Sequence, residues 1–179
     1  MLKKEICALL LVLVALTGCD DNTPLMTEVM HENVSTAKEM LAKGVDVDER
    51  NNYGWTALMH AVRIGNQELV TVLLDHGADI NAQDEAGLTP LMRATIKGHE
   101  AVLKLLIARG ADVNLRDNSG STALHWAANR GQVKIVRLLL EAGADFNVVN
   151  EQGLTPMAMA TSKGHNDIML MLRKMGARQ

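Results

Sequence analysis

The chain has 179 residues, of which 47% are hydrophobic, and its formal net charge is −3 at pH 7. This length suffices for one folded domain, and the negative charge excludes a global basic field of the kind that nucleic-acid-binding proteins carry. Because only four residues are aromatic (one Tyr, two Trp and one Phe), the core must be built from aliphatic side chains and methionine.

The N-terminus is typical of a secretory signal peptide. Lys3 and Lys4 form a short basic segment, and the eleven residues from 6 to 16 include no polar side chain. A transmembrane helix needs about 20 apolar residues, which is roughly twice this length. We therefore predict that residues 1–18 are a removable signal peptide and not a membrane anchor.

Leu16-Thr17-Gly18-Cys19 ends the apolar run and resembles the lipobox of bacterial lipoproteins. In that family the cysteine receives a diacylglycerol on sulfur, and signal peptidase II cleaves before it. The resemblance implies a mature chain that begins at Cys19 and is held on a membrane by two or three acyl chains. The alternative is an ordinary signal peptide with an incidental cysteine.

Removal of residues 1–18 would change the charge of the chain, and lipidation at Cys19 would consume its last thiol. Loss of Lys3, Lys4 and Glu5 leaves 16 basic and 20 acidic residues, a formal charge of −4. Because Cys7 leaves with the signal, no thiol remains for a disulfide, a nucleophile or a metal site.

Residues 19–22 form the predicted lipidated tether. Four residue steps extend at most about 14 Å, so the following domain would lie close to its membrane. In enteric bacteria an aspartate directly after the lipidated cysteine commonly retains a lipoprotein in the inner membrane, and Asp20 occupies that place. The resemblance therefore implies the periplasmic face of the inner membrane.

From residue 23 onward a period of 33 residues runs through the chain, which is typical of a repeat array. Threonine recurs at 23, 56, 89, 122 and 155, and a glycine follows each one 21 residues later. In one unit Pro90 suits the first turn of a helix, Gly98 ends that helix, and Gly110 ends a second apolar helix over 100–108. Asp84-Glu85-Ala86-Gly87 supplies a turn before the threonine. Each unit is therefore predicted to be two helices and a hairpin-like loop.

These units, together with GADIN, GADVN and GADFN after the second helices, closely resemble the ankyrin repeat. The resemblance covers essentially all of residues 23–177. It implies an all-α ankyrin-repeat solenoid of five helix-turn-helix units with hairpin-like loops. We place this domain at 23–179, with repeats at about 23–55, 56–88, 89–121, 122–154 and 155–179.

Three columns of the repeat alignment predict where the array ends. One second-helix column is charged only in the first repeat, at Glu39, and another only in the last repeat, at Arg173. A first-helix column is charged only at Glu28 and holds alanine elsewhere. Because a linear array needs polar outer faces at both ends, we expect a complete five-repeat protein.

Nothing in the sequence predicts catalysis, a metal or a cofactor. The six histidines form no HExxH-type pair, and no GxSxG, P-loop or dinucleotide motif is present. His125 completes a TALH segment similar to the ankyrin TPLH motif, in which the histidine ties neighbouring repeats together, and His99 and His165 follow the glycine in the middle of their units. We expect structural roles for these three histidines.

Ankyrin arrays commonly bind proteins through the hairpin tips and the concave face of the first helices. Carried over by position, the resemblance implies a partner-binding surface made of Asn52, Tyr53, Trp55, Arg63, Ile64, Glu85, Leu88, Ile96, Lys97, Asn129, Arg130, Leu154 and Lys163. The tip residues Asn118, Ser119 and Ser121 belong to the same surface. Tyr53 and Trp55 stand out because aromatic anchors are enriched at interface hot spots; the alternative is that Trp55 covers the adjacent tip.

Lys97, Arg130 and Lys163 fall in one column and are predicted to align on the concave side. Such a row suits an acidic partner or anionic headgroups, or it complements the helix dipoles. The leading hypothesis is a non-enzymatic lipoprotein that binds a membrane or periplasmic protein, as an immunity protein or as an assistant to a stress-defence enzyme. A self-associating envelope scaffold is the alternative, and an enzyme ranks third.

Overall fold

The computed structural model describes residues 21–177, so the predicted signal peptide and the lipidation at Cys19 lie outside the described residues. Within this range the chain forms ten helices and no β-strand. The helices are α1 (Pro24–Met30), α2 (Val34–Ala42), α3 (Ala57–Ile64), α4 (Gln67–Asp75), α5 (Pro90–Lys97), α6 (Glu100–Ala108), α7 (Ala123–Asn129), α8 (Val133–Glu141), α9 (Pro156–Ser162) and α10 (Asn166–Lys174).

The helices form five consecutive pairs that stack in one direction. The odd-numbered first helices pack against one another in an inner row, each also against its own second helix, and the even-numbered second helices form an outer row. The predicted all-α ankyrin-repeat solenoid is therefore confirmed. No helix among residues 21–177 combines the length and the apolar composition needed to cross a bilayer.

The period of 33 is visible at the start of each inner helix. In four of the five inner helices the threonine hydroxyl caps the helix by accepting a hydrogen bond from the backbone N–H three residues later. Thr56 accepts from Met59 at 3.4 Å, Thr89 from Met92 at 3.2 Å and Thr155 from Ala158 at 3.1 Å. Proline follows the threonine in α1, α5 and α9, where its missing N–H would in any case be unpaired within the helix.

Small residues allow the inner helices to approach closely. One inner-helix column holds Ala61, Ala94, Ala127 and Ala160, all fully buried, and the same column holds the half-buried Glu28 in the first repeat. On the outer helices Glu39 and Arg173 are exposed, while Val72 and Leu41 at the same two columns are buried. The predicted change from apolar to charged side chains at the two outermost repeats is thus confirmed for these columns.

The hairpin-like loops form a hydrogen-bonded row. Each tip donates a backbone N–H to the preceding tip: Glu85 to the Tyr53 carbonyl at 3.1 Å, Asn118 to Ala86 at 3.1 Å and Glu151 to Ser119 at 2.9 Å. A parallel series of side chains links the loop arms. Arg50 donates to the Gln83 carbonyl, Gln83 to that of Arg116, and Arg116 to that of Val149. The row therefore holds the tips in fixed register beside the inner helices.

Candidate protein-binding face

Four hairpin–helix junctions repeat along the side of the array formed by the hairpins and the inner helices, which we call the concave side. Each consists of the hairpin residue that begins the turn and the inner-helix residue nine positions later. We number them as the first (Asn51 and His60), second (Asp84 and Arg93), third (Asp117 and Trp126) and fourth junction (Asn150 and Met159). In every junction the hairpin residue's Oδ1 accepts backbone N–H groups two and four residues later. This side chain therefore shapes the turn.

In the second and third junctions the other carboxylate oxygen reaches the inner helix. Asp84 Oδ2 pairs with the guanidinium of Arg93, and both side chains are nearly buried, at 2% and 12% exposure. Asp117 Oδ2 accepts the Trp126 indole Nε1–H at 2.9 Å. A single aspartate thus shapes the turn and bonds to the polar group beneath it, although Arg93 Nε has no partner in the described residues.

The first junction has no such pairing. Asn51 has one oxygen, which the turn uses, and its amide Nδ2 donates to Asn22 at 2.8 Å. His60 is 5% exposed, and neither ring nitrogen has a hydrogen-bond partner within residues 21–177. Most buried polar side-chain atoms are hydrogen-bonded. His60 lacks a partner at both ring nitrogens, whereas in the second junction only Arg93 Nε is unpaired, and this difference distinguishes the first junction.

Trp55 lies at the centre of a cluster with three basic side chains. The Arg93 guanidinium carbon is 3.4 Å from the Trp55 ring centroid, and that of Arg63 is 5.6 Å away. The His60 ring lies on Trp55 with centroids 4.9 Å apart and a tilt of 51°. We call Trp55, His60, Arg63 and Arg93 the Trp55 cluster. Cation–π attraction and ring contact hold its half-buried indole in place.

Burial sets the protonation of the cluster. Burial, followed by the positive charges of Arg63 and Arg93, lowers the pKa of His60 from 6.5 to about 4, so the ring is neutral at pH 7. Burial also lowers the pKa of Arg93, while Asp84 acts in the opposite direction. The Trp55 cluster therefore contains a neutral imidazole, that of His60, beside the two cations Arg63 and Arg93.

Three other histidines hold the repeats together, in agreement with the structural roles expected for them. His125 Nδ1 accepts the Thr122 N–H at 3.1 Å, so Nε2 carries the proton that it donates to the Leu154 carbonyl at 3.2 Å. Burial lowers the pKa of His125, which favours this neutral form. His99 and His165 donate across to the carbonyls of Arg63 and Asn129, both at 3.1 Å.

The rings of His99 and His165 leave no space for a side chain at Gly65 and Gly131. Gly65 has a left-handed backbone with φ of 89°, and a Cβ there would lie 3.0 Å from the His99 ring. A Cβ on Gly131 would lie 2.7 Å from the His165 ring. These glycines therefore let the histidine of the next repeat bond to the end of the inner helix.

All thirteen residues of the predicted binding surface are accessible. Asn52, Tyr53, Arg63, Glu85, Lys97, Arg130 and Lys163 are exposed, and Trp55, Ile64, Leu88, Ile96, Asn129 and Leu154 are half-buried. Tyr53 is 65% exposed. Binding by these residues stays a prediction. Ser121 is different: it is 4% exposed and its N–H donates to Asp117, so its placement at the accessible tip is wrong.

The inner helices carry a one-sided charge. In the second to fifth repeats they bear Arg63, Arg93, Lys97 and, at or just after their last turns, Arg130 and Lys163, with no acidic residue between each threonine and the glycine that follows the helix. Arg93 is paired with Asp84. In the part of the chain that the structure describes, the other four cations form no ion pair. We call these four the basic row.

The junction residues were not identified from the sequence as a site. His60, Arg93 and Trp126 belong to one period-33 column, and the hairpin residues Asn51, Asp84 and Asp117 belong to another. Reading the two columns together would have shown that only the first junction combines asparagine with a titratable side chain. Residues 21–177 contain no group of three or more histidine, cysteine or acidic residues arranged to hold a metal ion.

Comparison with known proteins agrees with this architecture. A family model described as ankyrin repeats (3 copies) matches residues 2–84 and 91–179, and a second, described as ankyrin repeats (many copies), matches residues 65–107. The curated relatives include "Ankyrin repeat, SAM and basic leucine zipper domain-containing protein 1" from Ovis aries and Bos taurus, each 48% identical over 40 residues, and from Mus musculus, 47% identical over 38 residues.

These relatives are similar only over a short segment. The matched residues make up 21–22% of this chain and 8% of each relative. The family models, by contrast, cover most of the chain, and the ankyrin repeat is typically a non-enzymatic protein-interaction fold. Together with the five stacked helix pairs, this coverage shows that the chain belongs to the ankyrin repeat family.

Proposed function

We propose that this chain is a non-enzymatic lipoprotein that binds a partner protein at the periplasmic side of a bacterial membrane. The observation that carries the proposal is the composition of the concave side. Tyr53 is exposed beside the Trp55 cluster, and the unpaired cations of the basic row continue along the inner helices. Aromatic and arginine side chains of this kind dominate binding energy at protein interfaces.

The hairpin row supports this proposal because it pre-orders the surface. The tips are joined by backbone hydrogen bonds and by the Arg50, Gln83 and Arg116 side chains. A surface that is ordered before binding loses less conformational entropy when a partner docks. Modest contact area can therefore give useful affinity.

The proposed anchor would shorten the search for a membrane partner. The first helix is capped by Thr23, and Asn22 is already bound to Asn51. Only Asp20 and Asp21 separate Asn22 from Cys19. With so short a tether the array would remain near the bilayer, where an effective concentration for a second membrane protein is high.

Two specific forms of this function fit a surface of this kind. The chain could cover the active site of a toxin as an immunity protein, or assist a stress-defence enzyme. The identity of the captured protein distinguishes them.

The proposal is tested by capture from membranes. We would crosslink the full-length protein in its own cells, isolate it, and compare it with Tyr53→Ala and with Lys104→Ala, a substitution of an exposed residue on the outer helix α6. We expect one dominant partner that Tyr53→Ala reduces by about tenfold or more and Lys104→Ala leaves unchanged.

Folding and self-association are controlled in the same experiment. Urea unfolding of each variant must match the parent, because Tyr53 is on the surface. Light scattering of the purified parent checks the scaffold alternative. A stable oligomer with no captured partner, or equal capture by both variants, would contradict the proposed function.

A further inference from the structure

The first junction holds a buried hydrogen-bonding group that the protein itself does not use. His60 is 5% exposed with both ring nitrogens unpaired, whereas Arg93 and Trp126 at the same column bond to an aspartate. A buried polar group without a partner costs stability. The difference arises because the hairpin residue is asparagine at 51 and aspartate at 84 and 117.

The surroundings of His60 favour a negatively charged group. Arg63 is exposed and forms no ion pair among the described residues, and the Arg93 guanidinium also contacts the Trp55 ring. Asp84, which contacts the cluster, is already paired with Arg93. A carboxylate placed here would supply at the first junction what Asp84 and Asp117 supply at the next two.

We propose that the Trp55 cluster is a docking site for a carboxylate side chain, Asp or Glu, carried by an acidic segment of the partner protein. This inference rests on the proposed function and names the chemistry of its partner. The carboxylate would accept hydrogen bonds from the Arg63 guanidinium and from the protonated ring nitrogen of His60, and the basic row would attract the acidic residues beside it.

Trp55 is the movable part of this site. Its indole covers His60 and makes no hydrogen bond within residues 21–177, so ring contacts and cation–π attraction alone hold it. The ring must shift for a carboxylate to reach the imidazole. Trp126, in contrast, is fixed by its bond to Asp117. The two tryptophans therefore provide a reporter and an internal control in one chain.

A carboxylate-bearing protein fits better than a polyanion that lacks shape. The chain has a net charge of −3, and the four cations of the basic row are spaced along one face with one in each of the second to fifth repeats. The net negative charge of the whole chain disfavours a large uniform anion, while the basic row attracts an acidic segment that matches its length. The experiment below compares an acidic peptide with an anionic membrane as the ligand of the cluster.

The experiment is an NMR titration of the full-length protein in detergent with acetylated hexaglutamate amide. Acetylated hexaglutamine amide is the neutral control. We expect hexaglutamate to shift the Trp55 indole N–H resonance and to leave that of Trp126 in place, and hexaglutamine to shift neither. The same protein in lipid nanodiscs with and without phosphatidylglycerol forms a second arm, and a Trp55 shift that phosphatidylglycerol causes and hexaglutamate does not would overturn the proposal.

Variants separate a site from a diffuse field. Arg63→Gln and His60→Leu should each weaken hexaglutamate binding by at least about fivefold. Arg130→Gln removes the same charge from the basic row outside the cluster and should weaken it by about twofold or less. Arg137→Gln, on the outer helix α8, should leave it unchanged. Equal losses from Arg63→Gln and Arg130→Gln would overturn the site.

The capture experiment and the hexaglutamate titration test the proposed function and the carboxylate site separately. If the partner is captured through Tyr53 and Arg63→Gln leaves that capture unchanged, the proposed function stands and the carboxylate site is wrong. If hexaglutamate binds at Trp55 in the parent and not in Arg63→Gln, the site stands even where the capture experiment yields no partner.

Discussion

The first and third junctions have the same backbone and opposite polar arrangements. In both, one hairpin side chain accepts the same two turn N–H groups, and an inner-helix side chain lies nine residues later. In the third junction Asp117 also bonds to Trp126, while in the first Asn51 turns its amide to Asn22 and leaves His60 unpaired. Asparagine in place of aspartate at the hairpin, together with histidine in place of tryptophan beneath it, thus leaves a buried hydrogen-bonding group unpaired.

The comparison shows how an array separates stability from recognition. The turn needs only one acceptor oxygen, so asparagine and aspartate are equivalent for folding of the hairpin. The second oxygen decides whether the group beneath is paired within the chain or remains available to a partner. Substitutions that change this second oxygen, or the side chain that it contacts, therefore test the comparison of the junctions.

The largest effect is expected at the second junction. Asp84→Asn leaves the guanidinium of Arg93 nearly buried without its carboxylate. We expect the free energy of unfolding to fall by about 3–5 kcal/mol, because an uncompensated charge remains inside. Urea unfolding measures the loss. Glu85→Gln, an adjacent exposed residue, is the matched control and should stay within about 0.5 kcal/mol of the parent; a similar small value for Asp84→Asn would contradict the pairing.

A pH-dependent effect is expected at the first junction. The pKa of His60 is about 4 in the folded protein and 6.5 without burial, so the unfolded chain takes up this proton first as the pH falls. The contribution of neutral His60 to the free energy of unfolding is therefore fully present above pH 6.5 and is lost as the pH falls towards 4. Between pH 7 and pH 5 it amounts to roughly 2 kcal/mol.

His60→Leu isolates that contribution. It removes the titrating ring, while carboxylates and the buried His125, whose pKa is also lowered, remain in both proteins. Urea unfolding at the two pH values should show that the variant loses less stability than the parent on acidification. Equal losses would mean that His60 is accessible to protons in the folded state.

A smaller effect is expected at the third junction. Asp117→Asn keeps an oxygen for the turn and replaces the acceptor of the Trp126 indole N–H by an amide. We expect a loss of about 1–3 kcal/mol, the cost of an unmade buried hydrogen bond. The Trp126 N–H resonance should move upfield. An unchanged resonance would show that Asp117 Oδ2 is not its partner in solution.

The smallest change imitates the third junction at the first. Asn51→Asp supplies His60 with the carboxylate that it lacks, and an opposite charge favours the imidazolium. We expect the pKa of His60 to rise by roughly one unit, as measured from its Cε1–H resonance against pH. Asn150→Asp, next to the non-titrating Met159, is the control. An unchanged pKa of His60 in Asn51→Asp would show that a carboxylate at position 51 does not reach His60 as Asp117 reaches Trp126.

The fold could be predicted from the sequence because its signals are local and periodic. The threonines and the glycines recur every 33 residues, a proline follows three of the five threonines, and each acts within one turn of its own position. The bridging histidines followed from the family pattern. Local chemistry repeated five times therefore determines both the helices and their stacking.

The Trp55 cluster could not be predicted in the same way. Its members come from a hairpin and from two inner helices, and Arg93 reaches Trp55 across a repeat boundary. Ser121 shows the reverse error: its place beside a hairpin tip suggested exposure, while the bond to Asp117 turns it inward. Both depend on side-chain directions that a one-dimensional pattern leaves undetermined.

The central claim is that the concave side of the junctions is the partner-binding surface. The most direct test is a photo-crosslinking amino acid placed at Ile96 on the inner helix α5, compared with the same amino acid at Lys104 on the outer helix α6, in the full-length protein in its own cells. We expect one discrete adduct from position 96 that Arg63→Gln weakens, and none from position 104. Adducts of equal yield from both positions, or from position 104 alone, would contradict it.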